Sequence, residues 1–72
     1  MRGNFFYKRL GNKVSSERKK KRLSQEKLAF LSAIDRTYLA RIEEGKANPT
    51  IKVLGKLSRA LEMRIYQLVR GV

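Results

Sequence analysis

The sequence predicts an all-α fold of five helices in a single domain spanning residues 1 to 72, and three observations carry that expectation. Apolar residues recur three or four positions apart through most of the chain, the period of a helix with one face on a core. Ser24, Asp35 and Thr50 each stand just before such a stretch, where a side-chain oxygen can accept from the free N–H groups that open a helix. Gly45 and Pro49 punctuate the pattern: Gly45 best takes the left-handed conformation that closes a helix, and Pro49 forces Asn48 out of the helical region.

The first helix is expected over about residues 5 to 21, with Phe6, Leu10 and Val14 at helical spacing, Glu17 or Lys21 continuing the row, and Gly11 as its weak link. It ends in Arg18-Lys-Lys-Lys-Arg22, five cations at the negative end of the helix dipole, which reads as a solvated, dipole-stabilised terminus. The second helix, about 25 to 32, follows Ser24 and turns Leu28, Ala29 and Ser32 inward; Lys27 stands where a capping box needs an acid, so the cap is one-sided. The third, about 36 to 44, follows Asp35 and turns Leu39 and Ile42 inward. After the loop Lys46-Ala-Asn-Pro-Thr50, the fourth helix, about 51 to 61, is expected to bury Ile51, Leu54, Leu57 and Leu61 with Ala60 beside them. Gly55 inside it costs about 1 kcal/mol relative to alanine. A short fifth helix, about 64 to 69, carries Ile65, Tyr66, Leu68 and Val69.

Charge narrows the function. With 18 Lys and Arg against 6 Asp and Glu, the formal charge is +12, and so small a chain repels itself unless a polyanion is its usual partner. Nucleic acid is the default candidate. A membrane is the alternative, but the longest apolar run is Leu28 to Leu31 and no signal-peptide core follows the basic N-terminus, so a soluble, cytoplasmic protein is expected. There is no cysteine and no histidine, hence no disulfide, no thiolate or imidazole metal site and no proton shuttle near neutrality; neither metal nor cofactor is expected. The carboxylates offer no enzyme: Glu43 and Glu44 are adjacent and diverge around their helix, while Glu17, Glu26, Asp35 and Glu62 are scattered.

The second and third helices, joined by three residues, form a helix-turn-helix pattern. Opposite Leu39 and Ile42, the third helix presents Arg36, Thr37, Ala40 and Arg41 together, a polar, basic face narrow enough for a major groove. Arg36 and Arg41 are candidates for base reading, since a planar guanidinium reaches guanine O6 and N7 at once. Thr37 suits a thymine methyl or a phosphate, or is a neutral helix residue. Double-stranded DNA is the expected partner.

Leu23-Ser-Gln-Glu-x-Leu-Ala, Tyr38-Leu-x-x-Ile-Glu-x-Gly45, Asn48-Pro-Thr-Ile and Leu57-x-x-Ala-Leu61 together resemble the Cro and phage-repressor type of helix-turn-helix regulator, the XRE family, over about residues 6 to 69. Within it, Ser32 and Asp35-Arg-Thr-Tyr38 look most like the controller proteins of restriction–modification systems, small dimeric regulators that bind their own operators. The resemblance implies phosphate contacts from Ser24 and Gln25 at the start of the second helix and from Lys46, Asn48 and Thr50 after the third. Tyr38 is divided between a ring in the core and a hydroxyl at DNA. The likeness also implies a partly buried ion pair between Arg18 and Glu43, and pairing of two copies through Ile65, Tyr66, Leu68 and Val69, with help from the fourth helix.

The expected function is therefore a sequence-specific, homodimeric transcriptional regulator on a palindromic operator, blocking or recruiting RNA polymerase according to where that operator lies. The alternatives are an antitoxin-type autorepressor, the DNA-binding domain of a longer repressor, or a binder that uses charge alone; regular caps and apolar stripes argue against the last. Three departures from the family pattern stand out. Ala33 occupies a turn position where glycine is usual, at about 1 kcal/mol if left-handed, and Glu62 replaces the usual glycine after the fourth helix. Phe30 and Leu31 fall where polar residues are common, either as a satellite contact against Phe5 or Phe6 or as a partner surface.

Overall fold

The computed structural model describes residues 2–72, and all regular structure among them is helical: α1 (Arg2–Lys20), α2 (Gln25–Ser32), α3 (Arg36–Glu43), α4 (Ile51–Ala60) and α5 (Ile65–Val69). Leu10 and Val14 of α1, Leu28 and Ala29 of α2, Leu39 and Ile42 of α3, Leu54 and Leu57 of α4, Leu61 and Leu68 form one buried cluster, so every helix contributes to the same core. None of the described helices is long and apolar enough to cross a membrane.

The caps act at the expected positions. Ser24 Oγ accepts from Lys27 N at 3.0 Å, Asp35 Oδ2 from Tyr38 N at 3.2 Å and Thr50 Oγ1 from Val53 N at 3.1 Å, each satisfying a donor that its helix leaves open. At the other end, α1 to α4 close in one common way. A left-handed residue follows the helix, Arg22 (φ 60°), Ala33 (φ 58°), Gly45 (φ 77°) or Glu62 (φ 60°). The next residue's N–H then donates five positions back: Leu23 to Arg18 O, Ile34 to Ala29 O, Lys46 to Arg41 O and Met63 to Ser58 O, at 2.7–3.1 Å. Only one of these four closures uses glycine. Ala33 and Glu62 are left-handed, as their positions in the pattern imply; Arg22 is a third strained site.

Two other glycines have opposite roles. Gly11 is buried in α1, and a Cβ there would collide with the carbonyl oxygen of Ile42 and lie 2.7 Å from that of Glu43, so its missing side chain is what lets α1 lie against the end of α3. Gly55 in α4 has only Ile65 Cδ1 near the corresponding position, at 3.7 Å.

The structure departs from the sequence expectations in several places. Helix α1 begins at Arg2, and Phe5 and Phe6 in its first turns stay exposed; Phe6 meets Tyr7 edge-on at 5.4 Å. Ile51 is 70% exposed instead of buried, because it lies on the flank of the α4 stripe in its first turn, where the buried Pro49 occupies the core side. Leu68, expected at a dimer interface, is fully buried within its own chain: α5 is a single turn and a half, and Leu68 is the one residue of it that plugs the core. Phe30, 77% exposed, is too open to form a satellite core with Phe5 or Phe6.

Candidate nucleic-acid interface

The chain from Ser24 to Thr50 builds the candidate interface. Leu39 and Ile42 anchor α3 in the core, which leaves Arg36, Thr37 and Arg41 exposed on its opposite side, with Ala40 half-buried between them. On one side of this face lies the start of α2 with Ser24 and Gln25; on the other lies the loop with Lys46, Asn48 and Thr50, all three exposed. Ser24 and Thr50 accept backbone bonds as caps, yet each hydroxyl keeps its own hydrogen for a phosphate oxygen. Tyr38 is half-buried, its ring packed on the core cluster, and sits at the edge of the face.

Arg41 is held differently from Arg36. Its Nη2 donates to Lys46 O at 2.7 Å, so the guanidinium fastens the end of α3 to the loop that follows; four of its five N–H donors remain. Arg36 has no such restraint among the hydrogen bonds of the described residues and projects from the first turn of α3. Lys46 Nζ stands 3.9 Å from Glu44 Oε1, an exposed and weak pairing that a phosphate can replace.

Behind this surface is a polar joint. Arg18 of α1 donates from Nε to Glu43 Oε2 at 2.8 Å and from Nη2 to Oε1 at 3.0 Å, a two-pronged pair, while its Nη1 donates to Leu23 O at 2.8 Å. The side chains are 12% and 5% exposed, so the charges meet largely out of water and each must be matched. Gln25 Nε2 also donates to Glu43 Oε1, at 3.1 Å. Glu43 therefore joins three helices and orients the side-chain amide at the start of α2. The sequence pattern pointed to Arg18 and Glu43; nothing in it signalled that Gln25 shares the carboxylate.

A helix-turn-helix family model matches residues 14–68 of the chain. The chain belongs to the helix-turn-helix family. This family, of XRE type, consists of DNA-binding transcriptional regulators, and the expected all-helical fold is its fold. Among similar proteins, control protein C.MunI of a Mycoplasma species is 43% identical over 65 residues, covering 89% of this chain and 88% of the relative. Control protein C.BamHI of Bacillus amyloliquefaciens is 44% identical over 60 residues, covering 82% and 74%. The crystal structure of the restriction-modification controller protein C.AhdI from Aeromonas hydrophila superposes with a TM-score of 0.85 at 37% identity, covering 86% of this chain and 94% of that one.

The helix-turn-helix chain also exposes apolar surface away from α3. On α4, Ile51 and Gly55 are one helical turn apart, and across a shallow depression α5 presents Ile65 and the 60%-exposed Tyr66. Val69 is half-buried against the core. By sequence the fourth helix has a part in pairing but no named residues for it, because Ile51 fits a core stripe by spacing and Gly55 offers no side chain to count.

Proposed function

We propose that the protein is a sequence-specific DNA-binding regulator that acts as a homodimer on a palindromic operator, in the manner of a restriction–modification control protein. One observation carries the reading: α3 exposes Arg36, Thr37 and Arg41 on a single face, between polar groups of the α2 start and of the loop after α3. With α3 in a major groove, Arg36 reads a base edge while Gln25, Ser24, Lys46, Asn48 and Thr50 hold the flanking phosphates. Arg41 adds to base reading with the donors its loop bond leaves free. The likeness to C.MunI and C.BamHI supports the regulatory role, since those proteins are named as control proteins and align over most of their length.

Pairing through Ile51, Gly55, Ile65 and Tyr66 supplies the two-fold axis. These groups form an apolar strip on the outside of α4 and α5, and a two-fold contact places the same strip against itself. Selection of sites from a random duplex pool tests the reading as a whole. A palindrome with half-sites about one helical turn apart is the expected result; failure to enrich any sequence over random duplex overturns it.

A further inference from the structure

A second surface lies away from the DNA face and adjoins the α4–α5 strip, with which it shares Arg59. Leu31, near the end of α2, is 46% exposed and lies between two shallow depressions. One runs between Leu31, Ala33 and Ala60 with Lys56 and Arg59 on its rim; the other runs between Leu31, Leu23 and Ala60 with Lys20 and Lys21 on its rim. Phe30, 77% exposed with the Lys27 ammonium 5.6 Å from its ring centroid, lines a separate depression with Ser24, Glu26 and Lys27 and is not part of this surface. The one acid shared by both depressions, Glu62, is already paired with Lys21 at 3.1 Å.

We propose that this surface is a docking site for an acidic amphipathic helix of another protein, which seats apolar side chains around Leu31 and sets carboxylates against Lys56 and Arg59. Charge selects the partner: Glu62 faces Lys21 at 3.1 Å and Lys20 faces Glu17 at 3.3 Å, whereas Lys56 and Arg59 on the rim face no carboxylate among the ion pairs of the described residues. The floor selects against phosphate, since Leu23, Leu31, Ala33 and Ala60 offer an anion no donors from their side chains and the Ser32 hydroxyl, which also lines it, donates to Leu28 O at 2.6 Å. Position leaves the site free on DNA. Gln25 marks the DNA end of α2, and Leu31 lies six residues further, roughly 9 Å along the helix axis.

The test uses a labelled helical peptide of Glu and Asp with leucines at i, i+3, i+4 and i+7, titrated with the whole chain by fluorescence anisotropy, both free and on random duplex. Saturable binding is expected, weakened at least about tenfold by Leu31→Asp and by Lys56→Glu. Neither residue belongs to the DNA face, so both variants should bind duplex as the parent does, and circular dichroism should show both folded. Lys56→Glu should regain affinity for a peptide carrying lysine in place of one acid. Equal binding of an all-acidic peptide without leucine would reduce the site to charge alone and overturn the proposal. Displacement of the peptide by duplex in direct competition would assign the surface to phosphate, and self-association abolished by Leu31→Asp would assign it to a second copy; either result overturns it. Because duplex binding is measured separately, loss of the peptide site and failure of the DNA reading are distinguishable.

Discussion

A Cβ on Gly11 would collide with the carbonyl oxygen of Ile42, so no side chain can stand between α1 and the end of α3. Gly11→Ala gains about 1 kcal/mol of helix propensity but forces the two helices apart, and overpacking of this kind costs typically about 1–3 kcal/mol or more, here against rigid backbone. Net destabilisation is expected in urea unfolding. Gly55→Ala meets only Ile65 Cδ1 at ordinary contact distance and should stabilise the isolated chain by up to about 1 kcal/mol. The two substitutions, measured at one low protein concentration, should have opposite signs; a stabilising Gly11→Ala would refute the close approach.

The carboxylate of Glu43 is the next point of dependence, because Arg18 and Gln25 both donate to it and it is 5% exposed. Glu43→Ala strands a guanidinium in a nearly dry site and should cost about 3–5 kcal/mol. Gln25→Ala removes one bond and leaves the pair intact, at about 1 kcal/mol. Thermal melts of the three proteins check the order, and an unshifted Glu43→Ala melt would show that the pair does not hold α1 to α3.

How much of this was legible in the sequence depends on the kind of signal. Ser24, Asp35 and Thr50 were readable as caps because capping is local: an oxygen bonds a backbone N–H three residues on. The all-helical fold followed from those caps and from apolar spacing. Closure by Arg22 was not readable, since a left-handed arginine is imposed by the bond from Leu23 N to Arg18 O and by packing, against its own preference. Gly11 read as a weak helix residue because its reason lies on another helix. Ile51 and Leu68 exchanged their expected places because spacing marks a helix face without saying how far along it the core extends. The outward set on α3 needed only the inward pair Leu39 and Ile42, whereas the tie between Arg41 and Lys46 depends on the path of the loop.

The exchange of Ile51 and Leu68 changes what a pairing experiment should use. Leu68→Lys places a charge in a fully buried site and should unfold the chain instead of yielding monomers. Tyr66→Asp and Ile51→Lys alter exposed positions on the α5 and α4 parts of the strip and should give folded monomers with weakened duplex binding. Sedimentation with circular dichroism distinguishes the cases. A folded Leu68→Lys protein, or an unaltered association state in Tyr66→Asp and Ile51→Lys together, would contradict the assigned surface.

Reading and anchoring should fail in different ways. Arg36 is exposed in the first turn of α3 and Lys46 in the loop beyond it; on the proposed reading the first approaches base edges and the second reaches the DNA backbone alone. Arg36→Ala should lose roughly 1–3 kcal/mol on the selected operator and relax one position per half-site, with little change on random duplex. Lys46→Ala should weaken both duplexes alike and lower the salt slope by about 0.9 for each phosphate that the ammonium neutralises, doubled in a dimer. It should leave Arg41 in place, because the bond at 2.7 Å is to the Lys46 carbonyl, which the substitution keeps. Titration of both variants against both duplexes across a salt series separates the roles: equal losses for Arg36→Ala on operator and random DNA would make that arginine another anchor and remove α3 as the reader.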